Sequence, residues 1–107
     1  KDIKMVMVVH DLNEYSHITR EELELAEVPI DKSLKGDELN VFDVGAFQAD
    51  AIIVFDKPSD VISDKLLKQP GIKANKGKVS VIKWSDDEYP DYLSIADEMD
   101  QVIKKLF

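Results

Sequence analysis

The chain contains no cysteine, which removes disulfides, thiolate catalysis, zinc–thiolate centres and iron–sulfur clusters from consideration. Glycine is scarce as well. Four glycines in 107 residues argue against a loop that cradles phosphate through its backbone. None of the patterns G-x-S-x-G, G-x-x-x-x-G-K-[ST] or G-x-G-x-x-G occurs. Nothing in the chain approaches the ~18 consecutive apolar residues that span a bilayer. Bases are few beside acids, 14 against 22, for a net charge of −8. Nucleic acid and anionic membrane surfaces are polyanions that need basic patches, so neither is expected as a partner.

What is present suits a folded domain. A hydrophobic share of 44% beside 34% charged residues is a globular composition, and the length supports a core without staples. The acidic balance needs no explanation beyond solubility. The chain opens on Lys1 and not on methionine, which reads as a trimmed chain, and the residues shown do not tell whether a signal peptide or membrane anchor was removed.

Three short apolar stretches read as strands: residues 4–9 (KMVMVV), 51–55 (AIIVF) and 79–84 (VSVIKW). Thr19-Arg20-Glu21-Glu22 is a capping-box pattern. Only a turn or two of helix can follow it, because Glu27-Val28 before Pro29 reads as extended. Residues 31–40 read as loop or a short helical turn, and 57–60 (KPSD) as a turn before a short helix from Ser63. Residues 69–78 (QPGIKANKGK) read as loop. After Pro90, apolar residues at Tyr92, Leu93, Ile95, Ala96, Met99, Val102, Ile103, Leu106 and Phe107 have helical spacing. Asp91 near its start and Lys104-Lys105 near its end suit the helix dipole.

The two histidines, His10 and His17, bracket Asp11 and Glu14. Histidine with carboxylate is a zinc-ligand set, but helical phase does not gather residues that bridge a strand and a capped turn. They read as polar edge residues, with no metal, no cofactor and no catalytic residue expected. The acid pairs Glu21-Glu22, Asp86-Asp87-Glu88 and Asp97-Glu98 look solvated, whereas paired catalytic carboxylates need environments that split their pKa values. Trp84, Tyr89 and Tyr92 cluster around W-S-D-D-E-Y-P-D-Y. They are the candidate partner-binding residues, since aromatics anchor interfaces. The plainer reading is that they staple the terminal helix onto the rest.

Shifting the sequence by ~44 residues lays Val8-Val9 over Ile52-Ile53, and Ile18 to Leu23 over Ile62 to Leu67. Each copy reads as strand, polar turn, hydroxyl cap and short helix, which suggests pseudo-twofold packing of two halves. Neither copy is long enough for a parallel crossover with a proper helix, which points away from a doubly wound sheet over residues 1–68.

The run from Val6 to Pro29, V-x-V-V-x-D-L-x(5)-I-T-x-E-x-L-E-L-x-E-V-P, resembles the opening of an SAF domain. Phe42-Asp43-Val44-Gly45 and the stretch from Ala51 to Leu66 resemble that domain's second half. The similarity is nearest to the family's pilus-assembly branch. It implies a mostly β fold with short helices, the β-clip, over residues 1–68, with residues 69–107 adding a loop, a strand and a C-terminal α-helix packed on it. It further implies a non-catalytic, envelope-associated or extracytoplasmic module, tethered in its full-length form, whose partner is a protein or a saccharide. Membrane contact would then run only through a segment outside this chain.

Two other readings accompany that one. The unit is a substrate-binding accessory domain of an enzyme, of the sialic acid synthase or altronate dehydratase type. Alternatively, strands AIIVF and VSVIKW and the final helix belong to a small α/β receiver-like module, with Asp56 and Asp86 as candidate acidic residues at strand ends.

Overall fold

The computed structural model describes residues 4–10, 17–84 and 92–106. Along the chain lie β1 (Val6–Val9), β2 (His17–Thr19), α1 (Arg20–Leu25), β3 (Glu38–Asn40) and α2 (Val41–Gln48). They are followed by β4 (Ala51–Asp56), α3 (Ser63–Leu66), α4 (Pro70–Ala74), a 3₁₀ turn at Lys76–Lys78, β5 (Val79–Lys83) and α5 (Tyr92–Lys104).

The main sheet has the order β1-β4-β5, and β2 with β3 forms a separate antiparallel pair. All three strands of the main sheet are parallel. Val6 to Val9 pair with Ala51 to Val54, and Ile52 to Asp56 pair with Val79 to Lys83. β4 is the centre because every one of its residues is buried, as a near-continuous apolar run in a parallel sheet requires. Its side chains alternate between two cores. Ile52 and Val54 pack with Val9, Ala46, Ala49, Ile62, Leu66 and Ile72, so α2, α3 and α4 cover that face. Ile53 and Phe55 pack with Ile82 and Ile95, so α5 covers the other.

A third core lies beyond α2, where Leu23, Leu34, Leu39 and Val44 pack against Ile18, Val28, Ile30 and Phe47. α2 therefore carries apolar side chains to both sides, Ala46 to the sheet and Val44 to this lobe. α4 approaches α2 closely. A Cβ on Gly71 would lie 2.5 Å from the carbonyl oxygen of Asp43, so only glycine fits there.

The expected mostly β, β-clip fold is overturned. Among the described residues 43% are helical and 26% are in strands, and the main sheet is parallel with helices on both faces. The physical reason sits in two segments. VFDVGAFQ is buried on two sides and so shows no one-sided apolar stripe, which hides a helix from periodicity. QPGIKANKGK reads as loop by its Pro, Gly and Asn content, yet Pro70 occupies the first turn of α4, where a missing N–H costs nothing, and Ile72 is fully buried. With those helices recognised, residues 10–50 and 57–78 are ample for two parallel crossovers. The internal similarity also takes a different form. Its two strands lie side by side with Val8 opposite Ile53, one residue from the offset of the alignment, rather than related by a twofold.

Other expectations agree with the structure in detail. The Thr19 hydroxyl accepts from the Glu22 N–H at 3.1 Å, and the Glu22 carboxylate accepts from the Thr19 N–H at 3.2 Å, completing the capping box. α1 ends in a Schellman motif rather than in simply extended chain. Val28 N–H donates to Leu23 and Glu27 N–H to Glu24, with Glu27 left-handed at φ 58°. The terminal helix forms from Tyr92 and turns Ile95 into the sheet.

Candidate binding edge of the parallel sheet

Because β1, β4 and β5 are parallel, the residues that follow them, His10, Lys57 and Trp84, emerge at one edge of the sheet. In open parallel α/β sheets ligands sit outside the carboxyl ends of the strands where the strand order reverses. The order β1-β4-β5 has no such reversal, so this edge is singled out by its hollows alone. Two hollows flank it. One, of about 440 Å³, lies on the α5 side and is lined by His10, Phe55, Lys57, Asp60 and Trp84. The other, of about 490 Å³, lies on the α3 side with Asp56 and Ser63 as its floor. Its walls are Pro58, Val61, Val81 and Trp84, and Lys57 and Lys83 stand at its rim. Lys57 and Trp84 belong to both hollows.

The floor is held by Asp56, which is buried at 7% exposure. One carboxylate oxygen accepts from the N–H groups of Ile62 and Ser63, each at 2.9 Å. The other accepts a short hydrogen bond from the Ser63 hydroxyl. This arrangement starts α3 where Ile62, the residue at its cap, has no side-chain acceptor. A carboxylate so occupied is neither a free base nor a free nucleophile. Asp56 is thus a structural residue, and Asp86, named with it as a candidate acid, lies outside the described residues. Between β4 and α3, Lys57 to Asp60 form a tight turn closed by Asp60 N–H to Lys57 O at 3.0 Å. That turn brings Lys57 to the rim and Pro58 and Val61 to the wall.

Trp84 packs edge-on against Phe55, ring centres 5.2 Å apart, and against Tyr92 at 6.0 Å. The half-buried indole thus joins β4 and α5 while keeping one side on the hollows. Tyr92 remains largely exposed, and Tyr89 lies outside the described residues. Neither Lys57 nor Lys83 has an ion-pair partner among the described residues.

No family model matches the chain, and no curated protein or solved structure matches it.

His10 lines the first hollow, while His17 lies on β2 in the antiparallel pair. Among the described residues no group of three or more histidine, aspartate or glutamate side chains can hold a metal ion; Asp11 and Glu14 are outside them. Also among the described residues, no helix is long and apolar enough to cross a membrane. Lys57, Lys83, Val61 and Val81 were not singled out by sequence reasoning. Their signal was position: Lys57 and Lys83 lie at or just beyond the ends of apolar strands, Val81 within β5 and Val61 after the turn that follows β4. That becomes informative only when the strands are known to be parallel.

The second buried carboxylate, Asp43 on α2, does a similar structural job elsewhere. It accepts from the N–H groups of Gly71 at 2.9 Å and Ile72 at 3.4 Å, tying α2 to the start of α4. Burial pushes its carboxyl above the ordinary range, and the two backbone donors act against that rise.

Proposed function

We propose that this protein is a ligand-binding module whose site is the carboxyl edge of its parallel sheet. One observation carries the reading: two hollows meet at that edge and share Trp84 and Lys57. Hollows of this volume, walled by apolar and aromatic side chains with a few convergent polar groups, are the usual form of small-ligand sites. Asp56, the buried acid at the edge, is occupied by three donors from the α3 cap, which favours binding over turnover. An envelope setting, with a tether beyond this chain, rests on the SAF resemblance alone.

The test is amide chemical-shift mapping of the whole chain against a mixed panel of small molecules. Ligand-dependent shifts are expected at residues 55–63 and 81–84. Shifts confined to the β2–α1–β3 lobe, or none with any compound, would remove the assignment.

A further inference from the structure

The hollow beside α3 has a chemistry of its own. Val61 and Val81 are 46% and 43% exposed, although both are β-branched and one stands in a strand. They face the same concave space, so an occupant would remove both from water at once. Pro58 and Trp84 extend that apolar wall. The floor contributes no free donor, because the Ser63 hydroxyl already donates to Asp56. Polar recognition therefore falls to the rim, where Lys57 and Lys83 stand without ion-pair partners among the described residues. In a chain of net charge −8, a lining that holds two lysines against one carboxylate, Asp56, with Asp60 behind Lys57 on the side of the other hollow, is unusual.

We infer that the α3-side hollow takes a small organic anion: an apolar, flat or branched body seated on Val61, Val81 and Trp84, with a carboxylate between Lys57 and Lys83. The inference rests on the carboxyl edge being the binding site. The other hollow suits an anion less well, because Asp60 stands beside Lys57 there. A hollow of about 490 Å³ is scaled to a small molecule.

Trp84 is the chain's single tryptophan, so its emission reports on the site directly. Phenylacetate is the probe, and phenylacetamide, of the same shape without the charge, is its control. A saturable change in Trp84 emission is expected with phenylacetate, and binding at least about tenfold weaker with the amide. Lys57→Met with Lys83→Met should abolish that preference while leaving the circular dichroism unchanged. Should the double variant fail to fold, the wild-type protein still decides: raising salt must weaken phenylacetate and leave the amide unaffected. Equal binding of acid and amide would overturn the anion inference and leave the edge site standing. Failure of both probes, with the amides of Val61 and Val81 unmoved, would overturn the anion inference, and the edge site falls with it only if the mixed panel also leaves residues 55–63 and 81–84 unmoved.

Discussion

The sheet body and the β2–α1–β3 lobe are held together in different ways. In the body, stability comes from burial at long range: β4 is covered on both faces, and its strand partners lie 45 and about 27 positions away in the chain. In the lobe a smaller core and the β2–β3 pairing are joined by devices that close over a few residues. These are the Thr19/Glu22 capping box, the Schellman turn at Glu27, and Asp31 accepting from the N–H and hydroxyl of Ser33. The Arg20 guanidinium adds a longer tie, donating to the carbonyls of Gly36 and Leu34 at 2.9 and 2.7 Å. Regions built this way differ in cooperativity, because local devices can open without the rest.

The sharpest break of this contrast is Ile52→Ala. Ile52 is fully buried on β4, and the cavity left should cost about 2–5 kcal/mol. Chemical denaturation should show it, with native-state hydrogen exchange speeding throughout the body. Next come the two buried carboxylates. Asp56→Ala strands three donors and Asp43→Ala two, so each should cost about 1–3 kcal/mol, with the larger loss at Asp56.

Asp43 adds a pH dependence of known sign. Its folded pKa is raised, so the folded state holds this proton more tightly than the unfolded chain does. Its contribution to stability therefore improves as pH falls from neutrality through the folded pKa, and declines again as pH rises. Asp43→Asn keeps an acceptor for Gly71 but cannot ionise. Denaturation at a series of pH values should show that the variant lacks this component of the wild-type profile; identical slopes would contradict the burial argument.

Smaller effects are expected in the lobe. Thr19→Ala should cost about 1 kcal/mol through loss of the cap. Its faster exchange should be confined to α1 and its neighbours, whereas a uniform rise would show that lobe and body open as one unit. Smallest is Glu27→Gly, which relieves a left-handed backbone at a non-glycine residue. A gain of about 0.5–1 kcal/mol in the melting analysis is expected.

The same contrast explains what could be read from residues alone. The capping box needed only Thr19 and Glu22, three apart, and the terminal helix only its own spacing. Both were legible because the forces that make them act within a few residues. The parallel sheet was not. AIIVF reads as a buried strand in any architecture, and nothing in it specifies that Ile53 lies opposite Val8 and Ser80 in parallel register. α2 escaped because burial on both sides erases the stripe that marks a helix. The candidate site was hidden for the same reason. Trp84 was visible as an aromatic, but Lys57 and Lys83 become neighbours only through the pairing of β4 with β5.

The strand order also bears on how the molecule is made. β1 is synthesised first, yet its only sheet partner among the described residues, β4, begins 45 positions later. A ribosome must therefore extend the chain through the entire lobe before VMVV can find an edge to join. Pairing over such a separation is slow, and an apolar strand left waiting is a target for association between nascent chains. The lobe's short-range devices close over residues already synthesised in that interval, and compaction of residues 17–40 would shorten the effective distance that β1 must search.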